Sequence, residues 1–285
     1  MSDEPLEKDS ARLTPMRPNP YASPVETSRS SVLTQGTKDP EQLTRAHVIP
    51  FVVFMVFMIL LQLVGGFIEW KHPDAPWWRQ DPAQFIYPIQ TLVTLGFLIH
   101  YRGLYRFNWS LKWALVGIVF GAIGIGFWLL PTVLYEAWGM TGKAEGLLKH
   151  LGFAERKEGF DPGLFQNPIG YWASLIFRFI RAAIVVAFVE EIFWRGFMMR
   201  FVCDWEGDYW KQPFGRARWI SYGIVTGLFI LAHAPVDYAG AFIYGSLTYL
   251  LCVWSKNLGA CVIMHATANF LMGVYIIKTG NYGLW

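Results

Sequence analysis

The stretch "HVIPFVVFMVFMILLQLVGGFI", residues 47–68, contains no Asp, Glu, Lys or Arg. A bilayer's hydrocarbon core takes roughly 20 consecutive apolar helical residues, so this run reads as a membrane span. Further apolar segments follow at about 85–100, about 111–135, 172–202, 218–235, 239–255 and 258–277. The whole chain of 285 residues agrees: 54% is hydrophobic and only 16% is charged, against roughly 25% charged in an ordinary soluble domain. The expected fold is an all-α, polytopic transmembrane helix bundle of about seven to eight spans. An eighth, short membrane element would fall in 136–170 or 69–84. The net charge of +3 is small. It forms no basic stripe with interleaved aromatics, so nucleic acid is not an expected partner. Cys203, Cys252 and Cys261 make no CxxC pair and read as small packing residues.

Composition divides the chain into three parts. Residues 1–45 are polar, hold six prolines and read as a disordered tail. Residues 46–170 carry the early spans and a polar stretch, 136–170, suited to an interfacial amphipathic helix. Residues 171–285 hold the membrane core richest in ionisable groups. Lys and Arg set orientation. Arg29, Lys38 and Arg45, then Arg102, Arg106 and Lys112, then Arg200, Lys211, Arg216 and Arg218, then Lys256, alternate onto one side. The other side has Lys71 and Arg79, then Lys143, Lys149, Arg156 and Lys157. The count predicts a cytoplasmic N-terminus and, with seven spans, a C-terminus on the opposite side. Gly117 and Gly121 form a GxxxG in the third span, where a second helix can approach closely. "NWS" at 108–110 falls in a predicted cytoplasmic loop and carries no weight as a glycosylation site.

Ionisable residues inside a membrane are expensive and are functional candidates by default. The segment 172–202 has Arg178, Arg181, Glu190, Glu191, Arg195 and Arg200; the next has His233; the last has His265 and Asn269. Glu191 and Arg195 are i and i+4 and share a helix face. Glu190 points about 100° away and is the carboxylate left for other work. His265 and Asn269 share one face of the last helix. Three helices would then converge on a polar pocket of Glu190, His233, His265 and Asn269. A buried carboxylate suits a general base, and amide or imidazole N–H groups suit a developing oxyanion. Glu190, His233 and His265 alternatively make a His₂Glu set for a divalent metal such as Zn, although HExxH is absent. Arg178, Arg181 and Arg200 are expected to snorkel to the interfaces. His47, His72, His100 and His150 are expected at the surface.

These residues carry a resemblance. "EEIFWR" (190–195), "FILAH" (229–233) and "HATAN" (265–269) are similar to the EExxxR, FxxxH and HxxxN motifs of the CAAX protease and bacteriocin-processing (CPBP, Abi) family of intramembrane endopeptidases. They occur in the family's order over about residues 172–273. The resemblance implies that Glu190 activates water with help from His233. It implies that His265 and Asn269 form the oxyanion site, and that Glu191 and Arg195 hold the helix. Members are described both as metalloproteases and as metal-free glutamate enzymes; the metal-free form, with no cofactor, is expected here. "FVEEIFWRGFMMRF" and the ending "LGACVIMHATANFLMGVYIIKTGNYGLW" further resemble CAAX-protease-related proteins found beside exosortase systems in Gram-negative bacteria. That implies a bacterial inner membrane and exosortase-system proteins as partners.

The expected function is endoproteolysis of a membrane-associated protein or peptide by glutamate-activated water. The alternative is a non-catalytic membrane binding, chaperone or immunity module whose polar pocket is structural. Transport is disfavoured, because no inverted repeat or paired broken helices occur.

Overall fold

The computed structural model describes residues 39–69, 72, 74–140, 146–159 and 161–285. The tail expected to be disordered lies outside them over residues 1–38, as do Lys71 and Lys143. Helix α1 starts at Pro40, capped by the Asp39 carboxylate on Glu41 N–H. Residues 40–45, placed in the tail by their polarity, are therefore helical.

Seven main helices follow one another: α1 Pro40–Ile68, α2 Ala83–His100, α3 Leu111–Ala137, α4 Pro168–Phe201, α5 Trp219–Leu231, α6 Tyr238–Ser255 and α7 Leu258–Thr279. No strand occurs among the described residues. All but α5 belong to six segments long and apolar enough to cross a membrane. The protein is an integral membrane protein on these helices. The apolar segment expected at 218–235 becomes the 13-residue α5, about 20 Å long, followed by a break before Pro235. The described parts of 69–84 and 136–170 hold only short pieces, Trp77–Gln80 and Gly146–His150. Leu63, Phe67, Leu111 and Trp219 are exposed, the inverse of a soluble surface and the arrangement a lipid solvent favours.

The GxxxG in α3 sets the closest crossing. A Cβ on Gly117 would lie 2.7 Å from the Ala260 carbonyl oxygen, and one on Gly121 would collide with the Met264 carbonyl oxygen. The backbones of α3 and α7 therefore touch, and α7 brings His265 in with it. Helix α7 begins after Lys256, which takes a left-handed φ of 49°. The Asn257 side chain caps it at Ala260 N–H and also donates to the Asn108 carbonyl. These two bonds tie the start of α7 to the loop before α3. Cys252 and Cys261 are buried and unoxidised, as packing residues.

Helix α4 packs against α1, α2 and α7 and is not a uniform α-helix. It is α-helical over Pro168–Phe179 and π-helical over Ile180–Val186. It is α-helical again over Ala187–Glu191, π-helical over Ile192–Met198, and ends in Met199–Phe201. The two wide stretches bracket the Glu190–Glu191 pair.

Candidate functional site

Glu191 lies at the centre of the densest polar cluster. Its side chain is fully buried, and its Oε1 accepts from Arg195 Nη1 at 3.2 Å. The same oxygen lies 2.9 Å from His265 Nδ1. Arg195 is also buried, 1% exposed, and its guanidinium sits over the Phe229 ring at 5.2 Å. The i, i+4 pair expected from spacing is thus formed, but it is shared with a third group. A carboxylate only accepts, so His265 carries its proton on Nδ1. Its Nε2 is then an acceptor in the neutral ring and a donor in the imidazolium.

Glu190 is half-buried. Among the described residues it makes no hydrogen bond or ion pair, and it interacts electrostatically with Arg181. His233 stands in the break after α5. Its Nδ1 is 2.7 Å from the Phe229 carbonyl. A carbonyl accepts only, so the neutral His233 ring presents a lone pair on Nε2. The ring packs against Phe229 at 4.6 Å and Trp128 at 5.3 Å. Tyr244 then bridges toward the other histidine: it stacks on Phe229 and meets the His265 ring edge-on at 5.7 Å. Asn269 donates from Nδ2 to the Ala182 carbonyl at 2.8 Å. That carbonyl belongs to the first π stretch.

The structure therefore brings Glu191 of α4 and His265 of α7 into direct contact and ties Asn269 to the α4 backbone, while His233 is linked to His265 only through the Phe229 and Tyr244 rings. The imidazole of His265 binds Glu191, where spacing had pointed it at Glu190. The pair with Arg195 does not use up the Glu191 carboxylate: the same oxygen also accepts from His265. The two glutamates lie in the α-helical stretch Ala187–Glu191, flanked by π stretches that no sequence signal marks. π-Bulges nonetheless recur at functional sites.

Other expectations need correction. Arg178 and Arg181 do not snorkel; they are 5% and 8% exposed. Arg181 donates from Nε to Gln90 Oε1 at 2.8 Å and lies over the Tyr87 ring at 3.9 Å. Arg178 sits between the Tyr87 and Trp285 rings. Tyr87, Gln90 and Trp285 supply a shelter that charge counting alone does not foresee. Arg200 donates to the Gly196 and Gln212 carbonyls at the end of α4. His47 is buried, not at the surface: it packs on Trp210 and Tyr105 and against the bare Gly196. Tyr244, Gln90 and the aromatic shelf of Tyr87 were not singled out by sequence reasoning.

Among the described residues no group of three or more His, Cys, Asp or Glu side chains is gathered to hold a metal ion. Glu190, His233 and His265 are accordingly not gathered as a three-ligand set, and as placed do not fit a metal centre. An open cavity of about 1030 Å³ lies near the start of α2, lined by Glu69, Asp81, Tyr87, Glu158, Asp161 and Arg178 among others; the Glu190 set is not in its wall.

No curated protein and no solved structure matches the chain. One family model does match, that of the type II CAAX prenyl endopeptidase, Rce1-like, over residues 172–271. The matched region takes in all three motifs and the helices that carry Glu190, Glu191, His233, His265 and Asn269, and so supports a likeness of residues 172–271 to the CAAX protease (CPBP) family.

Proposed function

We infer that the protein is an intramembrane endopeptidase that cleaves a membrane-associated protein or peptide with water activated by Glu190. The observation that carries this reading is the division of labour between the two glutamates. Glu191 is held by Arg195 and His265, while Glu190 is half-buried and makes no hydrogen bond or ion pair among the described residues. A carboxylate bonded to two cationic or polar partners is a poor base. An unclaimed one is available to take a proton.

Glu190 accepts a proton from water, and the water oxygen attacks the peptide carbonyl carbon. The Nε2 lone pair of His233 receives the water's second hydrogen bond. The carbonyl oxygen becomes an oxyanion, facing His265 Nε2–H in the imidazolium form, with Glu191 as the counter-charge. The C–N bond then breaks, and Glu190 returns its proton to the leaving amine. A positioned general base contributes roughly 10²–10⁴ in rate. Asn269 has one amide N–H on Ala182 and a second left to donate.

The test is cleavage itself. Membrane fractions are incubated with proteoliposomes of wild type or Glu190→Gln, and new protein N-termini are read by mass spectrometry. Termini that appear with wild type and not with Glu190→Gln are the expected result. Identical termini from both would sink the reading and leave the non-catalytic one, in which Glu191, Arg195 and His265 form a structural polar core. An exosortase-linked substrate would appear among those termini as a secreted protein with a membrane-anchored tail.

A further inference from the structure

Tyr244 lies outside all three motifs, on α6. It is 3% exposed, and its hydroxyl has no hydrogen-bond partner. Buried hydroxyls are normally paired, and a phenylalanine would fill the same volume without the unpaired group. The ring has little freedom to seek a partner. It stacks on Phe229 at 6.3 Å, meets Trp128 at 6.0 Å and lies edge-on to His265 at 5.7 Å. Its Cδ2 rests where a Cβ on Gly124 would stand, 2.8 Å away. The bare Gly124 is therefore what lets the ring reach this depth.

The neighbourhood of the hydroxyl is the site. Tyr244 interacts electrostatically with Glu191, Arg195 and Glu190. Two further polar atoms of that cluster, Glu191 Oε2 and Arg195 Nε, are also buried without a partner. Asn269, the expected oxyanion donor, already has one N–H on the Ala182 carbonyl. A rigid, unpaired, neutral donor thus stands beside His265, in addition to the second amide N–H of Asn269. The geometry points to Tyr244 as a further catalytic residue whose hydroxyl donates a hydrogen bond to the oxyanion alongside His265. This rests on the endopeptidase reading above. The phenol keeps its proton throughout; no bond to Tyr244 forms or breaks.

The experiment uses full-length protein in proteoliposomes and a quenched fluorescent peptide spanning a cleavage site found with wild type. Tyr244→Phe should lower kcat about 10²–10³-fold, the range for loss of one oxyanion donor. KM should stay unchanged, because a donor to the oxyanion acts in the transition state and not on the ground-state carbonyl. The melting temperature should not fall, because an unpaired group has been removed. A peptide aldehyde of the same sequence should bind more weakly to Tyr244→Phe, since its hydrate, formed by addition of water to the C=O, carries the tetrahedral oxygen in question. Unchanged kcat overturns the proposal, and so does a loss of kcat that comes with a lower melting temperature. If wild type cleaves, Glu190→Gln does not and Tyr244→Phe does so at full rate, this inference alone fails. If Glu190→Gln cleaves like wild type, the endopeptidase reading fails and takes Tyr244 with it.

Discussion

Helix α4 buries arginine twice, by two different means. In its first half Arg178 and Arg181 contact neutral groups, the Tyr87, Trp285 and Phe54 rings, the Gln90 amide and the Met58 sulfur, while the carboxylates of Asp81 and Glu190 act on them electrostatically. In its second half Arg195 is held by a buried carboxylate that also binds His265. Rings and amides spread a cation's compensation over many weak contacts. A single carboxylate concentrates it, and removing that carboxylate strands two groups at once. The second arrangement is costlier to break and orients an imidazole, which the first cannot do. Polarity at the two ends of one helix therefore serves two ends: shelter in one half, orientation in the other.

The largest effect on stability should come from Glu191→Ala. It leaves Arg195 uncompensated in the core and should cost about 3–5 kcal/mol, read by unfolding in detergent micelles. Replacing both partners, Glu191→Gln with Arg195→Met, should recover most of that loss. If Glu191→Ala costs no more than Gln90→Leu, the contrast between the two halves is broken. Glu190→Gln sharpens the contrast within the glutamate pair: cleavage should fall about 10²–10⁴-fold with little change of melting temperature, because Glu190 makes no hydrogen bond or ion pair among the described residues and Gln is close to it in size. Gly121→Val should destabilise by about 1–3 kcal/mol through overpacking, since a Cβ there collides with the Met264 carbonyl. It should also reduce cleavage, as α7 carries His265.

Gln90→Leu, in the sheltered half, removes the bonds to Arg181 and to the Phe54 carbonyl. Interhelical hydrogen bonds in membranes average about 0.6 kcal/mol and reach about 1.7, so a loss in that range is expected, again by unfolding in micelles. The smallest effect belongs to Asp81, a carboxylate acting on Arg178 from the turn before α2. Burial pushes its carboxyl above the ordinary 3.8, opposed by the Ala83 N–H and by Arg178. A raised value means the folded chain holds this proton more tightly than the unfolded one. Its contribution to stability is therefore present in acid and is lost as pH rises from 3.8 through the raised value. Asp81→Asn should flatten that limb of the stability–pH curve while keeping the cap on Ala83.

Much of this was legible in the chain. Apolar runs located all seven main helices, because hydropathy and length are properties of a segment alone, though α1 begins at Pro40, before its apolar run, and the segment expected at 218–235 is the shorter helix Trp219–Leu231. Glu191 and Arg195 were legible as a pair for the same reason: four residues is one helical turn. The GxxxG announced a close crossing, though not that α7 is the partner. The burial of Arg178, Arg181 and His47 was not legible. Each is sheltered by residues from another helix or loop, tens of residues away in the chain.

The sequence alone determined a helical membrane protein whose ionisable groups gather in α4, α5 and α7. It did so because lipid leaves few alternatives for an apolar chain with unpaired backbone groups. Only the tertiary structure decided that His265 meets Glu191, that Glu190 is left unclaimed and that Tyr244 stands between the two histidines. The physical reason is that i, i+4 spacing shows which groups can pair on one helix, not which group of another helix will share that pair: one oxygen of Glu191 accepts from both Arg195 and His265. Which face then finds which partner depends on where α3 lets α7 approach.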